Sequence, residues 1–131
     1  MSKEIDDIIE SVFIEKCIKK EYRDRMIYEL QSQKKREKAL SRFAHSAGEV
    51  LQEYFSLVNI SDLQDQLKIN VNKTEKCYVI SNGVYDKAFV NYDDAINILK
   101  QSYSSVILVF EKCIVVKEEY RENKFYFLKL E

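Results

Sequence analysis

The sequence of 131 residues has little of what normally breaks or cross-links a chain, with two glycines, no proline and three cysteines. Because proline and clustered glycine mark turns and linkers, their scarcity leaves no point at which composition divides the chain. We therefore predict a single domain over residues 1–131, with a helical half over residues 3–70 and a sheet half over residues 75–131. The apolar fraction of 46% is typical of a globular protein and argues against disorder.

Long hydrophobic runs are also missing. The longest one extends only from Val106 to Phe110, whereas a membrane-spanning helix needs about 18 or more apolar residues. The first seven residues are charged and mostly acidic, where a secretory signal has an apolar core. These features predict a cytoplasmic protein with no membrane partner.

The cysteines and the single histidine form no chemical motif. Cys17, Cys77 and Cys113 are too far apart for zinc-ligand spacing or a disulfide framework, and each lies in an apolar stretch that suits a reduced thiol. His45 belongs to no recognisable catalytic pattern, and the sequence has no glycine-rich phosphate loop or nucleophile motif. We predict no catalytic residue, no cofactor and no metal, and hence a protein that is not an enzyme.

Hydrophobic periodicity predicts helices in the first half of the chain. Apolar residues follow helical spacing over residues 5–13 and again over residues 22–30. A second apolar stripe begins at Ile14, so the first helix is either covered on two sides or bent near Phe13.

Polar residues that favour helix ends separate these helices. Ser32 is the predicted N-cap of the next helix, and Gly48 suits its C-terminus, although the apolar stretch after Gly48 allows the helix to continue past a bend. The Ser61 to Gln64 segment has the form of a capping box and predicts a short helix that ends near Lys68.

The second half is predicted to contain strands over residues 77–81, 106–110, 113–117 and 124–130, with one helix that begins after Asn91. Short connections make the last three strands an antiparallel meander, whereas the crossover between the first two is long enough for either direction. The predicted fold class is α+β, in which N-terminal helices precede a β-α-β-β-β segment that forms a small, mostly antiparallel sheet.

Positive charge is concentrated between Lys16 and His45, where ten basic and four acidic residues give +6 in a chain whose net charge is −1. On a helix, Lys35, Lys38, Arg42 and His45 fall in one sector, opposite the apolar face. Such a stripe is typical of a solvated helix face, or of a surface that binds phosphate or an acidic protein.

Two further arginines point toward apolar faces. Arg36 has the same helical angle as Leu40 and Phe43, and Arg23 lies among the apolar residues of the preceding helix. Because a buried guanidinium must be paired, each is expected to meet a carboxylate or a group of carbonyl oxygens. Two interpretations remain open, in which the arginines either fix helix packing or bind a partner at an edge of the core.

Tyrosines and acidic residues are mixed in the strand half of the chain, as at Tyr85-Asp86 and Tyr92-Asp93-Asp94. Tyrosine is ordinary in strands, and it is also favoured at the centres of protein interfaces. An acidic, tyrosine-bearing surface would suit a basic protein partner.

A degenerate motif spans the helical half. Its elements are Phe13-Ile14, Arg23-Asp24-Arg25, Tyr28-Glu29-Leu30, Lys35-Arg36, Leu40 and His45. The motif, together with residues 77–81 and 125–129, resembles that of small bacterial immunity-like proteins that accompany polymorphic or contact-dependent toxins. The resemblance implies a protein that occludes the active site of a cognate toxin. The family-motif and candidate partner-binding residues are Arg23, Arg25, Lys35, Arg36, Arg42 and His45.

Three other functions are compatible with the sequence. A nucleic-acid-associated protein would use the basic stripe against phosphates, with binding that weakens steeply as salt rises. An RNA-processing enzyme would use the same stripe, and a small regulatory domain would have no toxin partner. The toxin-binding function is the first prediction, because occlusion requires no chemistry from the inhibitor.

Overall fold

The computed structural model describes residues 2–53, 55–102, 105–118 and 124–130. The helices within these ranges are α1 (Ser2–Cys17), α2 (Lys20–Gln31), α3 (Gln33–Val50), α4 (Ile60–Asn70) and α5 (Tyr92–Gln101). The strands are β1 (Ser56–Val58), β2 (Cys77–Ser81), β3 (Phe89–Val90), β4 (Val106–Val109), β5 (Cys113–Lys117) and β6 (Phe125–Lys129). The fold class is α+β with leading helices and an antiparallel sheet, which confirms the prediction.

The chain divides into two compact units, Met1–Glu53 and Tyr54–Glu131. The first contains α1 to α3, and the second contains α4, α5 and the sheet. The division between the units lies earlier in the chain than the predicted division between the helical half and the sheet half, at residues 70–75. The reason is that Leu63 and Leu67 of α4 are buried in the same core as the strands. The single domain over residues 1–131 stays a prediction.

Helix α1 runs without a break past Phe13, and both Phe13 and Ile14 are buried. The chain leaves the helical path only at Ile18, which forms a β-bridge with Leu51 after α3. Two backbone hydrogen bonds flank this bridge, from Lys19 N to the Val50 carbonyl and from Gln52 N to the Cys17 carbonyl, both 2.8 Å long. The bridge thus joins the α1–α2 connection to the end of α3.

Helix α3 begins as predicted, because the Ser32 hydroxyl accepts a hydrogen bond from Lys35 N at 3.3 Å. Of the two predicted courses, an end at Gly48 or continuation past a bend, the structure has the second, since the helix continues to Val50. The backbone departs from helical geometry earlier, at Ser46 with φ −131° and ψ 23°, where two helical segments join. The Ser46 hydroxyl donates to the Arg42 carbonyl at 2.9 Å.

The second unit contains one antiparallel sheet in the order β1-β6-β5-β4-β2-β3. Strands β4, β5 and β6 form the predicted meander, and β2 pairs antiparallel with β4, which settles the direction that the sequence leaves open. The short strands β1 and β3 are not anticipated from the sequence; they pair with β6 and β2 at the two edges. Within the described ranges, no helix has both the length and the apolar character that a membrane crossing requires.

Helix α5 is closed at both ends by polar side chains. Asn91 is its N-cap, as predicted, and its side-chain oxygen accepts from Asp94 N at 2.8 Å. At the other end, the buried ammonium of Lys117 donates to the carbonyl of Leu99 at 2.9 Å and to the carbonyl of Ser102. The buried charge therefore lies where backbone carbonyls and the negative end of the helix dipole stabilise it.

The N-cap of α4 is Asn59, which corrects the predicted capping box at Ser61. The Asn59 side-chain oxygen accepts from Asp62 N at 2.8 Å, and Ser61 lies inside the helix.

Asn59→Ala is therefore expected to lower the free energy of unfolding by about 1 kcal/mol, whereas Ser61→Ala should change it by less than about 0.5 kcal/mol. Urea denaturation of both variants checks this, and equal effects would contradict the assignment of the cap.

Candidate functional site

Arg36 lies in the interior of the first unit, where its guanidinium forms a bidentate pair with Glu10. The two Nη atoms each donate to one Glu10 carboxylate oxygen at 2.7 Å, and Nη1 also donates to the Leu30 carbonyl at 3.0 Å. Both side chains are buried. The expectation that a core-facing arginine meets a carboxylate is confirmed, and Arg36 fixes the packing of α1 against the α2–α3 junction.

Arg23 also points inward. It is half-buried, and its Nε donates to the carbonyl oxygen of Ile18 at 2.8 Å; the Gln52 amide donates to the same oxygen at 3.3 Å. This oxygen lies just beyond the end of α1, in the connection to α2. The interaction assigns Arg23 a structural role at the break between the two helices.

Two of the predicted residues, Arg25 and Arg42, converge on a single acid. Glu29 is buried, and its Oε1 atom lies 3.4 Å from Arg25 Nε and accepts a hydrogen bond from Arg42 Nη2. The two arginine side chains remain 68% and 47% exposed. Because a guanidinium carries five N–H donors, both groups can pair with Glu29 and still present donors to solvent.

A cavity of about 150 Å³ lies between α2 and α3 beside these arginines. Its lining includes the buried Met26 and Phe43 and the exposed Tyr22. Glu49 of α3 is a second acid at the cavity. We call the cavity with its lining residues the α2–α3 surface; it combines a small, partly apolar depression with two arginines that share one buried acid.

The other predicted residues lie elsewhere on the helices. Lys35 contacts Tyr28, with its Nζ atom 3.4 Å from the hydroxyl oxygen and 4.7 Å from the ring centroid. Lys38 and His45 are exposed, as the stripe predicts, but neither lines the cavity. Of the six candidates, Arg23 and Arg36 therefore point into the first unit, and Arg25 and Arg42 lie at the α2–α3 surface. Lys35 and His45 lie outside this surface.

The acids that organise these arginines are the residues that sequence reasoning missed. Glu29 follows Arg25 by four residues, a spacing that places both on one helix face and could have identified the pair. Glu10 gives no comparable signal, because it is 26 residues from Arg36 in the chain and only the tertiary fold joins them.

The three thiols are buried and unpaired with one another. Burial raises the pKa of Cys17 to about 12, an effect that the nearby charge of Lys16 partly opposes. Burial, with a smaller contribution from Glu75, raises the pKa of Cys113 to about 12, and the pKa of Cys77 is raised for the same main reason. Protonated, inaccessible thiols are poor nucleophiles and poor metal ligands.

Among the residues that the structure describes, no three histidine, cysteine or acidic side chains are grouped so as to hold a metal ion. Comparison with known proteins finds no matching family model, no similar curated protein and no similar solved structure. The resemblance to immunity-like proteins therefore stays a hypothesis.

Arg36→Met tests the buried pair. The substitution leaves the Glu10 carboxylate buried without its partner, and we expect the free energy of unfolding to fall by about 3–5 kcal/mol. Lys38→Met on the exposed face of the same helix should change it by less than about 0.5 kcal/mol. The Glu10→Leu/Arg36→Met double variant should recover part of the loss. An Arg36→Met protein as stable as the wild type in urea would contradict the pairing.

The raised thiol pKa values predict a loss of stability in alkaline solution. Between pH 9, near the ordinary value, and pH 12, the unfolded chain releases the Cys17 proton while the folded chain retains it. Stability therefore falls across this window as pH rises. Cys17→Ala should reduce that slope by up to about 1.4 kcal/mol per pH unit between pH 9 and pH 10.5, as measured by urea denaturation. Equal slopes in variant and wild type would show that the Cys17 pKa is not raised.

Proposed function

We propose that the protein is an immunity-like binding protein that captures a cognate toxin and occludes its active site, with the α2–α3 surface as the contact region. One observation carries the proposal, namely the convergence of Arg25 and Arg42 on the buried Glu29 beside an apolar cavity. The arrangement serves binding and requires no catalytic residue, cofactor or metal of its own.

The composition of the α2–α3 surface matches that of energetic centres in protein interfaces. Arginine and tyrosine are enriched at such centres, where they surround small apolar pockets that exclude water. Glu29 accepts a hydrogen bond from Arg42 before a partner arrives, so this arginine loses less side-chain entropy when the complex forms. An anchor side chain from the partner would enter the cavity beside Phe43 while its neighbours meet the arginines.

Charge points to an acidic contact region on the partner. The stretch from Lys16 to His45 carries a net charge of +6, which would accelerate the approach of an acidic surface. Carboxylates also fit the planar, bidentate donor geometry of Arg25 and Arg42.

We further propose that the protein acts in the cytoplasm. Its three thiols are buried and reduced, as is usual for proteins of a reducing compartment. In that compartment the protein would encounter a toxin that acts inside the cell.

Affinity capture with a matched pair of variants tests the proposal. Tagged protein would be used to capture partners from its native host, with washes at moderate and high salt, and the eluates would be examined for protein and nucleic acid. Arg25→Gln/Arg42→Gln should lose a partner that the wild type retains. Lys20→Gln/Lys34→Gln, which removes the same charge from exposed positions on the same helices, should retain it. Tyr22→Ala provides a variant that leaves the Glu29 pairs intact.

The captured protein must then prove to be a toxin. Expressed alone it should stop growth, and co-expression of the wild-type protein should restore growth, whereas the double arginine variant should not. Retention of the partner by the arginine and Tyr22 variants would contradict the assigned surface. Recovery of only nucleic acid, lost at high salt, would support the nucleic-acid-associated function instead.

A further inference from the structure

A second cavity lies in the second unit, between α5 and the loop that follows β2. It has a volume of about 430 Å³, which is within the range of ordinary ligand pockets. Its walls come from one face of α5, from the β2–β3 loop, and from Val106 at the start of β4. All of these elements belong to the second unit, so the cavity is separate from the α2–α3 surface.

Oxygen-bearing side chains line the helical wall of this cavity. Asp94, Asn97 and Gln101 follow one another at spacings of three and four residues, which places them on the same face of α5. Together they span about 10 Å along the helix axis. The wall therefore offers a carboxylate and two amide carbonyls as hydrogen-bond acceptors along a line.

The opposite wall is a loop whose backbone conformation is fixed by its own hydrogen bonds. Ser81 N donates to an Asp86 carboxylate oxygen at 3.1 Å, Gly83 N donates to the Ser81 hydroxyl at 3.2 Å, and Lys87 N donates to the Val79 carbonyl at 2.7 Å. Lys87 adopts a left-handed conformation with φ 67° to complete the turn. The shape of the cavity is thus largely formed before any ligand binds.

This fixed loop presents two large apolar side chains to water at the cavity. Val84 is 94% exposed and Tyr85 is 48% exposed, and both line the cavity. The exposure of these two side chains does not contribute to the stability of the fold. Adjoining exposed apolar residues are typical of interaction sites.

The charge of the cavity selects its ligand. Of the lining side chains that the structure describes, only Asp94 carries a charge at neutral pH. Two further charges bond to the backbone of lining residues, the Asp86 carboxylate at Ser81 N and the Lys117 ammonium at the Ser102 carbonyl, and these two offset each other. A ligand that fills the cavity should therefore bring one positive group, together with several N–H donors for the neighbouring oxygens and an apolar portion for Val84 and Ile98.

We propose that this cavity receives an arginine side chain from a partner protein. A guanidinium carries five N–H donors in one plane and can bond to Asp94 while it also reaches the amide oxygens, which a compact ammonium with three donors does less well. Its planar surface can stack on the ring of Tyr85, and its methylene chain suits the apolar wall. The inference concerns the second unit alone and does not depend on the function of the α2–α3 surface.

A short peptide titration, followed by amide chemical shifts of the full chain, tests the proposal. The probe is the blocked tripeptide acetyl-Ala-Arg-Ala-amide, and its control contains citrulline, which has the same shape without the charge. The arginine peptide is expected to shift amides of Gly83, Tyr85, Asn97 and Gln101 with a millimolar or tighter dissociation constant. The citrulline peptide should bind at least tenfold more weakly, because it lacks the charge-assisted bond to Asp94.

Two neighbouring aspartates provide the matched variants. Asp94→Asn should weaken binding of the arginine peptide by about tenfold, whereas Asp93→Asn should leave it unchanged. Asp93 is a matched control because both aspartates lie in the first turn of α5 and interact similarly with the helix dipole. The proposal is overturned by the absence of shifts at millimolar peptide, by equal binding of the citrulline peptide, or by equal effects of the two variants. Agmatine, a small molecule with a guanidinium group, is titrated as well. If it binds more tightly than the peptide, the ligand is a small cation and the proposal of an arginine from a partner protein is overturned.

Discussion

Cationic side chains that bond to the last carbonyl oxygens of helices recur in both units. The last carbonyls of a helix have no partner within it, and they form the negative end of the helix dipole. Glycine in a left-handed conformation commonly solves this problem, but no glycine of the described residues has a positive φ. Instead Arg23 bonds to a carbonyl beyond α1, Arg36 to one at the end of α2, and Lys117 to two at the end of α5.

This use of charged side chains distinguishes the structural arginines of the first unit from those available to a partner. Arg23 and Arg25 are two residues apart and therefore lie on different sides of α2. The first turns back to the α1–α2 connection, and the second remains largely exposed while it reaches the buried Glu29. A sequence pattern with several arginines thus contains both structural residues and residues available to a partner, and only their contacts separate the two groups.

Local signals predicted much of the fold. The strands at residues 77–81 and 113–117 and the caps at Ser32 and Asn91 follow from β-branched runs and short polar side chains that act over a few residues. The edge strands β1 and β3 are too short to show an alternating pattern, and they exist only because β6 and β2 provide partners. For the site, the Arg25–Glu29 pair was missed although its spacing of four residues signals it, whereas the Glu10–Arg36 pair depends on a contact between distant segments.

The brevity of the two edge strands has a consequence for the behaviour of the protein at high concentration. An exposed strand edge offers unpaired backbone groups to other chains and can begin edge-to-edge aggregation. Here the outermost strands are Ser56–Val58 and Phe89–Val90, so each offers a neighbouring molecule only two or three residues with which to pair. Strands β2 and β5 are buried along their whole length and β4 along most of its length, and all three lie inside the sheet, where they are shielded from such pairing.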